Sequence, residues 1–244
     1  MDHDFSPRLE PEELEGFRER GFTSIPAITT PDEIRWLREV YDQLIEDERP
    51  LRLRYGGAGP SGVEGTINQI FLPERQVPKL LETHYIRNAQ RLAAELLGID
   101  ESRYGGLMFI FKPAAAGRDT PFHQDEVYWE FRHERCHSLS VWMPLDEVTV
   151  DSGCMQFVPG SHKLDVLKYR KPENEPLVLD QPFDVSGAVP VPLQPGGATF
   201  HHCRTVHGTA PNTSPRPRRA LTTIFHGPRS VRVPPLVRPW MGES

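Results

Sequence analysis

The high proline and glycine content constrains the fold of this chain more than any other feature of its sequence. Of the 244 residues, 25 are proline and 19 are glycine. Proline lacks the backbone N–H that the interior of a helix or of a central strand requires, so this content disfavours a bundle of long helices. We therefore predict short strands joined by many turns.

From residue 104 onward, short apolar or alternating runs are separated by turn residues. Each run is bounded by Gly, Pro, Asp or Asn, a pattern that is typical of an all-β sandwich or barrel. The runs cover residues 106–112, 137–145, 154–158, 176–179, 189–193, 198–202 and 220–225. We predict a β core over about 104–227.

The first hundred residues are predicted to be mostly helical. Thr30, Pro31 and Glu33 form a helix start, with a capping hydroxyl, a proline at the first position and a glutamate three residues after the cap. Apolar residues then recur at helical spacing, and a second long helix is predicted from about 78 to 97. We expect the helices of about 1–100 to pack on the β core, so that residues 1–244 form a single domain.

Composition excludes several classes of partner. A formal net charge of −6 gives no overall attraction to nucleic acid or anionic lipid. The sequence has no run approaching the ~20 apolar residues that span a bilayer, and no signal-peptide pattern at its start. Three widely spaced cysteines, Cys136, Cys154 and Cys203, indicate neither a disulfide framework nor a zinc–thiolate site. We expect a cytoplasmic protein that binds neither nucleic acid nor membranes.

His123 and Asp125 are the first candidate metal ligands. On a strand, residues i and i+2 point to the same face, so the imidazole and the carboxylate could converge on one ion. Two histidines and one carboxylate leave three positions open, as in non-haem iron(II) oxygenases. The pair alone is not specific, because ten histidines and 34 acidic residues produce about one such pair by chance.

A second cluster lies downstream, where His207-Gly208-Thr209 is followed by a turn at 212–215 and then by Arg218. A hairpin folded about that turn would place His207 and Arg218 on adjacent antiparallel strands, at the same end of one sheet. The guanidinium could then bind a dicarboxylate whose other end chelates the metal. His201 and His202 are alternatives to His207 as the third ligand.

These motifs together resemble the phytanoyl-CoA dioxygenase family of iron(II)- and 2-oxoglutarate-dependent oxygenases. The resemblance covers about residues 105–226. It rests on His123-Gln124-Asp125, Trp142, the run Ser-Gly-Cys-Met-Gln-Phe-Val-Pro-Gly-Ser-His at 152–162, His207-Gly208-Thr209 and Arg218. The family fold is a double-stranded β-helix, a cupin-like jelly roll, in agreement with the strand pattern.

The resemblance also implies roles for individual residues. It implies that His123, Asp125 and His207 bind Fe(II), and it favours His207 over His202 because Gly208-Thr209 and Arg218 follow it. It implies that Arg218 pairs with the distal carboxylate of 2-oxoglutarate. The positions implied to line this cosubstrate are Met108, Gln124, Trp142 and Thr209, the last standing where a serine is common.

Aromatic residues after the metal motif, Tyr128 and Phe131, are candidate substrate contacts, as is Gln69; packing roles are equally open for them. His162 is interpreted as a structural turn residue. The arginines between 216 and 238 indicate a solvated tail rather than a nucleic-acid patch.

The expected function is oxidation by O2 of a small molecule of secondary metabolism, with release of succinate and CO2. The resemblance implies that Asp125 favours oxygenation over halogenation, because related halogenases carry a small residue at this position. Hydroxylation is the expected outcome, and desaturation, epimerisation and cyclisation stay open. Two alternatives stay open: a jelly-roll metalloenzyme that does not use 2-oxoglutarate, and a non-catalytic jelly-roll binding module.

Overall fold

A computed structural model describes residues 5–46, 51–55, 67–115, 119–128, 137–172 and 177–228. The helices are α1 (Pro11–Arg20), α2 (Pro31–Glu46) and α3 (His84–Leu97). The strands are β1 (Phe22–Ile25), β2 (Leu51–Tyr55), β3 (Ile67–Phe71), β4 (Arg103–Lys112), β5 (Thr120–His123), β6 (Ser138–Pro144), β7 (Met155–Phe157), β8 (Tyr169–Arg170), β9 (Val178–Leu179), β10 (Val189–Val191), β11 (Ala198–His202), β12 (His207–Thr209) and β13 (Arg218–His226).

Two antiparallel sheets face each other across an apolar layer. The major sheet has the order β1-β11-β6-β13-β4-β3-β2, and the minor sheet has the order β10-β7-β12-β5. Between them, Phe22 and Trp142 of the major sheet pack in one cluster with Met155 and Phe157 of the minor sheet. This arrangement confirms the predicted mainly β class and is that of the predicted jelly roll.

The helices cover the outer face of the major sheet. Leu37 of α2 and Leu92 of α3 are fully buried in one cluster with Phe109, Val141 and Leu221, which point outward from β4, β6 and β13. Strand alternation therefore divides the major sheet into two faces, one packed against helices and one turned toward the minor sheet. The inward set includes Met108, Ile110 and Lys112 of β4, Ser140 and Trp142 of β6, and Arg218, Thr222 and Ile224 of β13.

The N-terminal part contains the predicted helices together with two strands, β2 and β3, that the sequence pattern did not indicate. The start of α2 is as predicted, since Thr30 Oγ1 accepts a hydrogen bond from the Glu33 backbone at 3.2 Å. The helix predicted from 78 to 97 is instead a 3-10 turn, Pro78–Glu82, followed by α3. Thr83 has extended backbone and caps α3, which separates the two.

Strands β2 and β3 extend the major sheet at its β4 edge, so the first hundred residues are less helical than expected. The glycine-rich segment that connects them, at 56–65, lies outside the described residues. None of the helices in the described part of the chain combines the length and apolar composition needed to cross a membrane.

The cysteines differ from expectation at one position. Cys154 is a buried free thiol. Cys203 is disulfide-bonded, a bond that the wide spacing of the cysteines did not predict.

Candidate metal centre

Three side chains, two from strands of the minor sheet and one from the turn after β5, meet at one point. His123 ends β5, His207 begins β12, and the two residues are direct cross-strand partners. His123, His207 and Asp125 each offer one ligand atom, and these atoms all lie within 4.8 Å of one another. The Nε2 atoms of His123 and His207 lie 3.7 and 3.5 Å from Asp125 Oδ1. The structure therefore brings the three predicted metal ligands together.

Asp125 reaches this position by a route that differs from the predicted one. Strand β5 ends at His123, and Asp125 begins a 3-10 turn, Asp125–Tyr128. Strand alternation is therefore the wrong explanation for the convergence of His123 and Asp125, since the turn returns the carboxylate to the histidines.

Backbone carbonyl groups fix the orientation of both imidazoles. His123 Nδ1 lies 2.8 Å from the Pro121 carbonyl oxygen, and His207 Nδ1 lies 2.8 Å from that of Thr205. A carbonyl oxygen can only accept, so each Nδ1 carries the proton and each Nε2 presents its lone pair to the cluster. This tautomer is the one that binds a metal through Nε2.

Burial and mutual contact give the cluster the charge state that a metal site requires. Burial, together with the neighbouring His207, lowers the pKa of His123 to about 4, and burial lowers the pKa of His207 to about 4. Burial alone would raise the pKa of Asp125, but the surrounding histidines, His207 first, hold it below its ordinary value. At neutral pH the site therefore offers two neutral imidazoles and one carboxylate.

The second carboxylate oxygen of Asp125 is held by the major sheet. Asp125 Oδ2 accepts a hydrogen bond from Ser140 Oγ at 2.5 Å and lies 3.2 Å from His201 Nε2. Ser140 of β6 and His201 of β11 are direct cross-strand partners. His201 thus contacts the carboxylate without joining the three-ligand cluster. The other alternative, His202, accepts a hydrogen bond from the Arg204 backbone through Nδ1 at 3.1 Å.

Arg218 is a buried cation whose hydrogen bonds are incomplete. It is the first residue of β13 and is 1% exposed. Its guanidinium carbon lies 5.3 Å from the ring centroid of Trp142. Nε and Nη2 are buried without a hydrogen-bond partner in the described part of the chain. Burial lowers the pKa of Arg218 to about 10, which leaves it charged at neutral pH. Two unused donors on a buried cation fit a bound carboxylate.

The predicted hairpin geometry of His207 and Arg218 is wrong. His207 lies on β12 of the minor sheet and Arg218 lies on β13 of the major sheet, because the segment between them crosses from one sheet to the other. The two residues line one cavity from opposite sheets rather than from adjacent strands.

A cavity of about 420 Å³ joins these groups. Its described lining consists of Gln69, Phe71, Met108, Ile110, Thr120, His123, Asp125, Tyr128, Trp142, Met155, His201, His207, Gly208, Thr209, Arg218, Thr222 and Ile224. Five predicted contacts, Gln69, Met108, Tyr128, Trp142 and Thr209, are in this lining. Tyr128 is 44% exposed at the cavity rim and meets the His123 ring edge-on. Phe131 lies outside the described residues.

Gln124 does not line the cavity, contrary to its predicted role. Its side chain is fully buried elsewhere: Oε1 accepts a hydrogen bond from the Leu167 backbone, and Nε2 donates one to the Arg204 carbonyl, both at 2.8 Å. The residue between His123 and Asp125 therefore secures a neighbouring loop.

Lys112 and Ser140 were missed as site residues, and His201 was considered only as a ligand. Lys112 Nζ donates hydrogen bonds to Thr209 Oγ1 and to the Ala210 carbonyl, both at 2.6 Å. The signal for Lys112 was its even spacing from Met108 on one strand, which places both on the same face. The signal for Ser140 was likewise its even spacing from Trp142, which places these two side chains on the same face of β6.

Comparison with known proteins adds a family match over most of the chain. The family model described as phytanoyl-CoA dioxygenase matches residues 17–220. Among curated proteins, phytanoyl-CoA dioxygenase domain-containing protein 1 of Danio rerio is 32% identical over 126 residues, 49% of this chain and 42% of the relative. The homolog from Dictyostelium discoideum is 28% identical over 156 residues, 61% of this chain and 54% of the relative. The chain thus matches about half the length of these relatives.

Solved structures match over nearly the whole chain. EvdO2 from Micromonospora carbonacea var. aurantiaca, in complex with 2-oxoglutarate, is 34% identical with a TM-score of 0.81, covering 98% of this chain and 99% of that one. The epimerase SnoN, in complex with Fe3+, alpha ketoglutarate and nogalamycin RO, is 26% identical with a TM-score of 0.71, covering 88% and 82%.

Proposed function

The chain belongs to the phytanoyl-CoA dioxygenase family, and from this premise we propose that it is an iron(II)- and 2-oxoglutarate-dependent oxygenase acting on a small organic molecule. His123, Asp125 and His207 would hold the ferrous ion. Arg218 would hold the distal carboxylate of 2-oxoglutarate, with Thr209, Met108 and Trp142 around the cosubstrate. When bound, iron and 2-oxoglutarate would supply the activation of O2, in which one oxygen atom would enter succinate and the other the substrate, with release of CO2.

The protein itself positions the reacting groups and protects them from water. The backbone carbonyls behind His123 and His207 keep both Nε2 atoms directed at the metal position. Trp142 and the buried setting of Arg218 limit the movement of the guanidinium. The apolar side chains of Ile110 and Met155 line the same cavity and reduce the access of water to the reacting groups.

One observation carries the proposal: across a single cavity, a His-Asp-His cluster faces a buried arginine with two unused donors. A metalloenzyme that does not use 2-oxoglutarate would leave Arg218 without a ligand. A binding module without catalysis would have no need for three metal ligands in their binding protonation state.

The lining also supports a substrate class. Apart from the three metal ligands and Arg218, no acidic or basic group other than His201 is in the described lining, and Phe71, Met108 and Ile224 supply apolar surface. Two structural relatives are described with 2-oxoglutarate or with nogalamycin RO bound. We infer a substrate that is uncharged near its reacting carbon, and propose a natural-product intermediate.

The first prediction concerns the metal ligands. Asp125→Ala and His207→Ala should lose iron-dependent succinate formation to background, because each change removes one of three protein ligands. The measurement is succinate release from 2-oxoglutarate with Fe(II) and O2, with or without a substrate. His162→Ala is the matched control, since His162 lies outside the described cavity lining and contacts the Arg18 carbonyl.

Retained turnover in either ligand variant would refute the metal assignment. Arg218→Met tests the alternative of a metalloenzyme that does not use 2-oxoglutarate. We expect this variant to bind metal normally and to bind 2-oxoglutarate much more weakly. Unchanged activity would show that 2-oxoglutarate is not the cosubstrate.

A further inference from the structure

A buried lysine stands beside the arginine at the end of the cavity. Lys112 is 1% exposed, and its side-chain Nζ donates hydrogen bonds to two uncharged oxygens, Thr209 Oγ1 and the Ala210 carbonyl. Lys112 ends β4 and Arg218 begins β13, and the two are direct cross-strand partners. Two positive charges at directly opposite positions of a sheet repel each other. A bound anion beside both side chains would offset this repulsion and allow Lys112 to carry its charge.

Thr209 connects Lys112 to the cavity. A hydroxyl group has one proton to donate and two lone pairs to accept with. Lys112 Nζ has no lone pair when charged and occupies one acceptor position of Thr209 Oγ1. The Thr209 proton is then free to point toward another acceptor, and Thr209 lines the cavity together with Arg218.

We propose that Lys112 is a positioning residue for 2-oxoglutarate: it supplies a second positive charge behind Arg218 and directs the Thr209 hydroxyl at the distal carboxylate. This rests on the proposed function. Lys112 acts through Thr209 and does not itself line the described cavity, which distinguishes its role from that of Arg218.

The electrostatics of the ligand-free pocket agree with this role. Burial and the charge of Arg218 lower the pKa of Lys112 to about 6, although the carboxylate of Asp119 acts in the opposite direction. A carboxylate bound beside Thr209 would favour the charged lysine, because an opposite charge nearby stabilises the protonated form. The charged form of Lys112 is thus more favourable when 2-oxoglutarate is bound than in the ligand-free pocket.

The test is the affinity for 2-oxoglutarate of Mn(II)-loaded protein, measured by calorimetry without turnover. We expect Lys112→Met and Thr209→Val each to weaken binding about tenfold or more, the range for a lost hydrogen bond to a charged group. In the double variant, Lys112→Met should cost less than it does alone, because the part of its effect that passes through the Thr209 hydroxyl is already lost. Mn(II) affinity should not change in any of them.

Lys163→Met is the control for loss of a lysine, since Lys163 is exposed and pairs with Glu19. Lys112→Gln keeps an N–H donor without the charge and should bind with intermediate affinity; it also serves if the methionine variant fails to fold. Wild-type affinity in Lys112→Met or Lys112→Gln would overturn the proposal, as would full additivity with Thr209→Val. Absence of 2-oxoglutarate binding by the wild type would instead refute the proposed function.

Discussion

The two oxygens of the Asp125 carboxylate have different environments. Oδ1 faces His123 and His207, whereas Oδ2 is bound by Ser140 and His201 from the opposite sheet. Two donors on Oδ2 leave Oδ1 as the oxygen available to the metal. A carboxylate restricted to one ligand oxygen keeps three metal positions open for 2-oxoglutarate and O2.

The second prediction follows from this division. Ser140→Ala and His201→Phe should each weaken Mn(II) or Co(II) binding by about 10- to 100-fold, the usual effect of removing a group that orients a metal ligand. Metal affinity by calorimetry is the measurement. Ser138→Ala is the matched control on the same strand, because the Ser138 hydroxyl contacts His226 instead. Unchanged metal affinity in both site variants would contradict this role.

The third prediction concerns pH. A metal competes with protons for imidazole, and burial lowers the pKa of both His123 and His207 to about 4. Because these pKa values are lowered, protons compete with the metal for the imidazole nitrogens only at lower pH. Metal affinity should therefore stay nearly constant between pH 8 and 6 and fall as pH approaches about 4. An ordinary histidine, with a pKa of about 6.5, would already lose affinity below pH 6.5. A steep loss between pH 7 and 6 would contradict the prediction.

At the scale of single residues, the sequence was sufficient to predict those site residues that belong to a short local motif. His123 and Asp125 are two positions apart, and His207 is marked by the Gly-Thr that follows it. Gln124 could not be placed, because its contacts with residues 165–169 and 204 depend on loop packing. His201 and Ser140 act together only through the pairing of β11 with β6, which no short motif encodes.

At the scale of elements, the connection from β12 to β13 determines how the two halves of the site meet. Asn212 is fully buried at its centre. Its amide nitrogen donates to the Pro113 carbonyl at 3.0 Å and to the Arg216 carbonyl at 2.8 Å, and its oxygen accepts from the Ser214 backbone at 3.1 Å. The connection is thus anchored next to the end of β4 and the start of β13.

The fourth prediction tests this anchor. Asn212→Ala removes the hydrogen bonds that this buried side chain makes to the Pro113 and Arg216 carbonyls and to the Ser214 backbone. The loss should cost about 2 kcal/mol, which lowers Tm by about 4–8 °C in a chain of this size. We expect 2-oxoglutarate binding to weaken more than metal binding, because Arg218 follows the turn whereas the metal ligands lie on the minor sheet. Thr213→Ala, at an exposed neighbouring position, should change Tm little. Equal losses of both affinities would contradict this view.

Strand positions were predicted more accurately than strand partners. Alternating apolar runs located β4, β6, β11 and β13 to within a few residues. The same pattern could not show that the chain changes sheets after β12, because the destination of a turn depends on tertiary packing. Strands β2 and β3 were missed for a related reason, since the pairing of β3 with β4 and of β2 with β3 is not visible in their own short sequences.

At the scale of the whole molecule, the site is divided between the two sheets. The minor sheet and the turn after β5 carry His123, Asp125 and His207, and the major sheet carries Arg218 and Trp142. A metal with 2-oxoglutarate bound to it would therefore connect both layers, whereas the metal alone contacts ligands from one side.

The fifth prediction is that the ligands stabilise the protein cooperatively. Binding to the native state raises stability with ligand concentration relative to Kd. Mn(II) alone should raise Tm modestly and 2-oxoglutarate alone should have little effect. The two together should exceed the sum, because the bound metal raises the affinity for 2-oxoglutarate. Differential scanning fluorimetry measures this, with Arg218→Met as the control in which the excess should disappear. Additive shifts in the wild type would contradict the prediction.

The overall class was the most predictable property, since proline and glycine content together with short apolar runs indicated a β sandwich before any motif was considered. The separation of the two layers could not be predicted, because it results from how Phe22, Trp142, Met155 and Phe157 pack between them.

That separation has a consequence for which oxo-diacid the protein can accept. A buried guanidinium stacked on Trp142 has little freedom to follow a shorter or longer molecule. Because the metal ligands and Arg218 belong to different sheets and line one cavity, the packing between the layers sets the length of the oxo-diacid that could contact both at once.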